Sequence, residues 1–462
     1  MASAIPFYWC AIQKYLTVEF QRDVTFEEFA VTPTTVVFVL WQGLNVISGV
    51  TTWVCSLQPH LTRRGFAVPI LVFDPSPVDA VLGHPDGVFV SLRQLEERIA
   101  CYSPAVVVLM NVGWQRSFAL MLASLNRRGK SFYTISVVHS DSYDEGYRFV
   151  PTFAPWVNHF IGVSPTVAQH TLGALDQGSR PGITTLPYGV DCPDTLARDY
   201  STSPIRLVYA GRLIEHQKRV LDFVELVHHL GQHRVNFRLD LFGAGPNEWQ
   251  LRQRLARHVA QGQVSFQGAR PHQELLAALP EYDVFVNLSE FEGTSVAMLE
   301  AMAAGCVPVV TAASSGVTEV VECGVNGFYV PVGDMSALAA CIAALAQSRA
   351  MLAKLGQQAH CTAQNQFSLS QYADRFVALV EDIAHQPLIK TSKDAEQILD
   401  CVLPIEEHVM VQMQALRHLS QRLELRLSAL EENVAIRCGQ PTTQALRWIK
   451  RSVRAAMGKK GP

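Results

Sequence analysis

Ser289-Glu-Phe-Glu-Gly-Thr-Ser-Val-Ala-Met-Leu-Glu-Ala-Met-Ala-Ala-Gly305 follows one short apolar run, Val284-Phe-Val-Asn287, and leads into another, Val307-Pro-Val-Val-Thr311. Short, β-branched, continuously apolar runs read as buried strands, so the residues between them read as the loop and helix of a strand–helix–strand unit. Thr294 is placed to cap that helix and Gly305 to close it as the C′ residue. Backbone N–H groups at the start of such a helix form an anion site. Glu292 stands just before the helix and Glu300 lies on it. At a rise of about 1.5 Å per residue their carboxylates fall roughly 10 Å apart along the axis. That spacing suits two contacts on one extended ligand better than a hydrolytic pair aimed at one bond.

The same rhythm continues on both sides. Strands are expected over 35–41, 68–73, 105–109 and 132–138, with helices ending at Gly65 and spanning 114–128. A Pro/Gly-rich stretch near 185–193 and a linker at 196–204 interrupt the pattern. Strands then recur over 205–209, 237–242, 264–266 and 327–330, with helices over 220–230 and 248–260. Strand–helix alternation builds right-handed crossovers and a mostly parallel sheet. The expected fold is α/β, two doubly wound Rossmann-like domains facing each other across a cleft, with ligands at the carboxyl ends of the strands. The expected segments are an extension at 1–31, a first domain at 32–195, a second at 203–368, a helix at 369–384 crossing back to the first domain, and a helical extension without strands at 385–462.

Composition narrows the class. With 48% hydrophobic and 17% charged residues, the chain can bury large cores. A net charge of −3 argues against a protein built to coat nucleic acid. Ten cysteines without a C-x-x-C pair fit reduced cytosolic thiols better than disulfides or a zinc site. No apolar run reaches the roughly 18 residues of a membrane span, and the opening MASAIPFYWC lacks the basic and long apolar regions of a secretory signal.

The block Glu292…Glu300, followed by Ala301-Met-Ala-Ala-Gly-Cys-Val-Pro-Val-Val310, Gly316-Val-Thr-Glu319 and Gly324-Val-Asn-Gly327, resembles the retaining nucleotide-sugar glycosyltransferases of family four, of GT-B fold. Tyr209-Ala-Gly-Arg-Leu213 with Gln217-Lys218, then Leu241-Phe-Gly-Ala-Gly-Pro246, match that family in the same order. The resemblance is strong over 205–335, weaker over 35–190, and does not reach 1–30 or 386–462. It extends to bacterial polysaccharide and O-antigen transferases.

The resemblance implies roles. Arg212 and Lys218, beside Gly211, would grip the donor diphosphate, whose developing charge must be stabilised as the glycosidic bond breaks. Glu300 would accept hydrogen bonds from the ribose hydroxyls, and Glu292 would face the transferred sugar. A carboxylate with several lone pairs suits hydroxyl-rich ligands. Gly293, Thr294, Ser295 and Val296 would bring backbone N–H groups near the phosphates; many relatives have Pro where Ser295 stands. His139, ending Val137-Val-His-Ser-Asp141, would contact the donor sugar. Gly49, in a loop often Gly-Gly in relatives, would let backbone approach phosphate or acceptor. Gly243, within Gly-Ala-Gly, reads as a tight turn near the nucleotide. No Asp-x-Asp occurs, so no metal and no resident cofactor are expected; the nucleotide sugar is a co-substrate.

Beyond 385 the pattern changes again. Val409, Leu416, Leu423 and Leu430 repeat every seven residues, with Met413, Ser420, Leu427 and Val434 between them. This seam is compatible with a short coiled-coil homodimer or with a hairpin packed on the chain's own body. Leu446, Ile449, Val453 and Met457 form one stripe among Lys/Arg residues with Trp448, the pattern of a basic helix lying on an anionic membrane surface. The expected protein is a cytoplasmic enzyme, peripheral on the inner face of the membrane. It would move a sugar to a glycan or lipid-linked hydroxyl in cell-surface polysaccharide synthesis. An epimerase on the same scaffold and a non-catalytic scaffold protein are the rival readings.

Overall fold

Apolar runs become two all-parallel sheets. The computed structural model describes residues 25–27, 34–41, 49–73, 88–89, 92–110, 115–143, 147–175, 181–196, 198–201 and 203–391. The strands of the first half are β1 (Thr25–Glu27), β2 (Val36–Trp41), β3 (Ile70–Phe73), β4 (Val88–Phe89), β5 (Ala105–Met110), β6 (Phe132–Val138), β7 (His159–Gly162) and β8 (Gly182–Thr185). Those of the second half are β9 (Ile205–Ala210), β10 (Phe237–Phe242), β11 (Val264–Gly268), β12 (Val284–Asn287), β13 (Val307–Thr311), β14 (Phe328–Val330) and β15 (Leu388–Lys390).

The first sheet has the order β4-β3-β2-β5-β6-β7-β8 and the second β11-β10-β9-β12-β13-β14. In each, the earliest strand sits inside and the order reverses beside it, between β2 and β5 and between β9 and β12. Loops diverge there, and a crevice opens at the carboxyl ends of the strands. Helices cover both faces because every residue of β5, β6, β12 and β13 is buried. The doubly wound α/β architecture is therefore as expected, and β10, β12 and β13 have the expected bounds.

The helix Leu369–Ala384 packs on the first sheet. Phe376 stacks on Phe38 at 6.1 Å, Tyr372 meets Trp53 edge-on at 5.3 Å, and Tyr133 Oη donates to Ala384 O at 2.9 Å. The next residues correct the expectation of no strand after 385. β15 pairs antiparallel with β1, Thr25 opposite Lys390, so a piece of the N-terminal extension and the chain after the crossing helix complete each other. The heptads at 409–434 and the basic stripe at 444–457 lie outside the described residues.

Other differences have local causes. The expected helix at 248–260 breaks at Leu255 into Glu248–Arg254 and Ala256–Ala260, and the one at 220–230 opens with a 3₁₀ turn at Val220–Asp222 before Phe223–Gln232. Ser295, not Thr294, caps Val296–Ala303: its Oγ accepts from Met298 N at 3.4 Å, while Thr294 Oγ1 donates to Val163 O of the first domain at 2.5 Å. Gly305 closes that helix at φ +78°, as a C′ glycine should. The stretch at 196–204 is pinned rather than free. Arg198 Nη1 donates to Ala304 O and Tyr200 Oη to Gly305 O, each at 2.8 Å. Arg198, Arg206 and Arg349 converge on the fully buried Asp283 carboxylate at 3.8, 3.8 and 3.5 Å.

Candidate functional site

Two loops of the second sheet meet beside its switch point. The first leaves β9 as Gly211-Arg212 and ends in a short helical turn, Glu215–Lys218; the second leaves β12 and carries Glu290 to Ser295. Glu290 N donates to Gln217 O at 2.9 Å and Gln217 Nε2 to Phe291 O at 3.2 Å. Arg212 Nη2 donates to Gln217 Oε1 at 2.8 Å with the guanidinium otherwise in solvent. Lys218 Nζ reaches Glu292 Oε1 at 2.5 Å, and Asn287 Nδ2 also donates to that oxygen at 3.2 Å. Burial pushes the Glu292 carboxyl up. The Lys218 ammonium and hydrogen bonds from Ser289 and Asn287 outweigh this and hold it below its ordinary value.

Glycines let the loops touch. A Cβ on Gly243, at φ +132°, would stand 1.8 Å from Gly211 O, so the Gly-Ala-Gly turn nests against the Arg212 loop as a glycine-only contact. A Cβ on Gly293 would stand 2.0 Å from His139 O. This close approach joins the two domains: Asp141 N donates to Glu292 O at 3.0 Å, and Ser314 Oγ to Asp141 O at 3.4 Å. Gly49 opens the helix Gly49–Arg63 with its Cα side against Val296, 3.4 Å from where a Cβ would sit. Two helix starts, one from each domain, therefore face one seam.

His139 is half-buried there. Its Nδ1 is hydrogen-bonded to Tyr188 Oη, the rings lie parallel at 5.9 Å, and Nε2 is buried without a partner among the described residues. Burial lowers its pKa to about 3, so the ring is neutral and Nε2 is available to a hydroxyl group. Glu300, one helix face along from Val296, is buried and hydrogen-bonded to His272 Nε2 at 2.7 Å. Trp53, Asp191, Val296, His272 and Glu300 line a small cavity between the domains.

The structure thus gathers Arg212, Lys218, Glu292, His139 and the helix start at Gly293–Val296 around one seam, with Glu300 and Gly49 at its edge. Sequence reasoning missed two groups. His272 ends the β11 loop just as His139 ends β6, and that position was its one available signal. Asp141 accepts from Tyr147 Oη at 2.7 Å and is paired with His170 Nδ1 at 2.8 Å, a grouping formed by residues 29 apart that carry no motif. Burial raises the Asp141 carboxyl, yet hydrogen bonds from Tyr147, His170 and Ser314 bring it net below its ordinary value.

Residues 204–348, the strands and helices that carry these loops, match the family described as glycosyl transferases group 1. The second sheet is thus similar to the domain of that family. Among curated proteins, WcaL of Salmonella typhimurium, named as a glycosyltransferase of colanic acid biosynthesis, is 36% identical over 146 residues, 30% of this chain and 36% of that protein. The amylovoran biosynthesis glycosyltransferase AmsK of Erwinia amylovora is 32% identical over 177 residues, 37% of this chain and 43% of its own length. The matched stretch spans less than half of these relatives. In fold, the chain is similar to Anabaena Alr3699/HepE solved in complex with UDP and glucose, with TM-score 0.59, 16% identity, and coverage of 75% of this chain and 99% of that one. Beside the stretch that matches group 1, the first sheet completes the two-domain GT-B arrangement.

Proposed function

We propose that this protein transfers a sugar from a nucleoside-diphosphate sugar to a hydroxyl of a glycan or lipid-linked acceptor, with retention of configuration, in polysaccharide biosynthesis. The observation that carries this reading is the Lys218–Glu292 pair at the β9/β12 crevice of a group 1 domain. A cation and a carboxylate held together there suit a ligand that is an anionic diphosphate at one end and a polyol at the other. The solved structure of Alr3699/HepE with UDP and glucose supports a nucleotide-sugar donor by likeness of fold. The named roles of WcaL and AmsK support a polysaccharide setting.

In the mechanism, Arg212, Lys218 and the helix start at Thr294–Val296 take up the charge on the departing diphosphate. Glu292 lies beside the sugar carbon as it gains oxocarbenium character, and His139 Nε2 bonds a sugar hydroxyl. The bond from that carbon to the diphosphate oxygen breaks while a bond to the acceptor oxygen forms on the same face. The acceptor proton passes to the diphosphate oxygen, so no protein nucleophile is required. Exclusion of water at the closed seam protects the donor from hydrolysis. The three cationic elements do this without a bound metal. Glu300 holds the ribose.

The chain's setting belongs to the same proposal. A basic amphipathic stripe at 444–457 supports peripheral attachment to the inner face of the membrane, and the heptads at 409–434 support either a short coiled-coil homodimer or a hairpin on the chain's own body. A group 1 domain with these side chains in place favours transfer over an epimerase or a scaffold. Turnover of UDP-, GDP- and ADP-sugars by wild type and by the Lys218→Ala and Glu292→Ala variants tests the reading. Loss of turnover in both variants is expected, and unchanged turnover in both excludes the mechanism.

A further inference from the structure

Among the titratable groups at the seam for which the transfer mechanism above has no task, His272 touches a proposed ligand contact directly. His272 opens the helix His272–Ala278 at the carboxyl end of β11 and is half-buried. Its Nε2 is 2.7 Å from Glu300 Oε1, and both residues line the cavity between the domains with Asp191, Trp53 and Val296. Glu300 itself is buried, with 8% of its surface exposed, on the helix Val296–Ala303 whose start faces the seam. A buried carboxylate with one oxygen engaged keeps the other oxygen, with its lone pairs, for a ligand. A buried carboxylate without that partner would rotate among several positions or draw in water.

We propose that His272 is a positioning residue for the nucleotide: it fixes the Glu300 carboxylate so that the free oxygen meets the ribose diol. This rests on the reading of the seam as a nucleotide-sugar site and adds a residue to it. The charged and titratable neighbours are few. Glu300 faces the imidazole from the helix Val296–Ala303, and Asp191 faces it from the segment after β8, itself paired with His60 at 3.5 Å. Arg270 and Glu274, on the same loop and helix, pair with each other at 3.5 Å in solvent. The hydrogen bond to Glu300 raises the His272 pKa above its ordinary 6.5; burial opposes this, and the charges of Glu300 and Asp191 add to it. In its protonated form His272 holds Glu300 most firmly and also brings positive charge toward a diphosphate. Nucleotide affinity should therefore be greatest at low pH within the folded range and fall as pH rises through that raised value.

The test is titration calorimetry of the full chain with UDP, GDP and ADP from pH 6 to 9, for wild type, His272→Ala and His272→Gln, with melting temperatures recorded. A Gln amide nitrogen can take the place of Nε2 and cannot titrate. The expected result is affinity for one nucleotide that weakens about tenfold or more in His272→Ala. His272→Gln should recover most of it with no pH dependence between 7 and 9, above the pKa of about 6 at which the nucleotide's terminal phosphate loses its last proton. Equal or tighter binding by His272→Ala at an unchanged melting temperature would show that His272 is idle or competes with ribose for Glu300, and would overturn the proposal. So would wild-type affinity that rises with pH between 7 and 9, where the nucleotide is already ionised. If wild type binds none of the three nucleotides, the nucleotide-sugar reading itself falls, and the role of His272 falls with it.

Discussion

Lys218 Nζ and Glu292 Oε1 stand 2.5 Å apart, tying the loop after β9 to the loop after β12 on the two sides of the strand-order reversal. Glu292 is buried and Lys218 half-buried, so the carboxylate depends on the ammonium for compensation. The cradle proposed for the diphosphate is held together by this contact, so its two halves should respond together to substitution and to pH.

Removing the cation should therefore damage the chemistry more than the fold. Lys218→Ala is expected to reduce donor turnover by about 10² or more, comparable to loss of one preorganised donor at a developing oxyanion. Lys218→Arg should recover part of it. Turnover number measured with saturating nucleotide sugar checks this.

Acid should weaken the fold through buried histidines. Burial lowers His139 to about 3 and His159 to about 4, both from an ordinary 6.5. An unfolded chain takes up protons at these rings below about 6.5, whereas the folded one does so only near 3 to 4, so stability falls with falling pH across that window. The slope is up to about 1.4 kcal/mol per pH unit for each ring. Glu292 acts in the same direction lower down: its stabilisation is complete above the ordinary carboxyl value of 4.5 and is lost as pH falls through its lowered one. Urea midpoints from pH 7 to 4.5 should decline in wild type and flatten in a His139→Asn, His159→Asn double variant.

Gly293→Ala should separate the domains' apposition from their folding. Its Cβ would meet His139 O at 2.0 Å, a contact between loops of different sheets. Each sheet keeps its own core, so circular dichroism should be near wild type while turnover drops by about 10² or more. Wild-type turnover would show that the seam is not closed during catalysis.

The Asp283 cluster predicts a stability effect far from the chemistry. Asp283 is fully buried among Arg198, Arg206 and Arg349, with its Oδ2 also accepting Arg206 N at 2.8 Å. Asp283→Ala would remove the one carboxylate these three guanidinium groups share, leaving the buried Arg198 without its counter-charge, and should cost about 3 kcal/mol in urea unfolding.

What could be read from sequence follows from how locally each feature is encoded. β12 and β13 are continuous apolar runs bounded by polar or small residues, and the Glu292–Glu300 block follows directly from β12, so the fold and the position of that block beside the switch point were legible together. β7 was not, because His159-Phe-Ile-Gly162 is too short and too mixed to stand out. β15 was not, because its partner β1 lies more than 360 residues away and neither three-residue run has meaning alone. The cap at Ser295 rather than Thr294 was settled across the seam, where Val163 O takes the Thr294 hydroxyl. Asp283 and His272 are likewise defined by neighbours that only the folded chain supplies.

Binding of nucleoside diphosphates to the full chain, with and without the two cradle cations, tests the central claim most directly. Wild type should bind one of UDP, GDP or ADP, and an Arg212→Ala, Lys218→Ala double variant that melts like wild type should bind it at least about 100-fold more weakly, a difference near 2.7 kcal/mol. Undiminished binding by the double variant would place the diphosphate elsewhere and contradict the account.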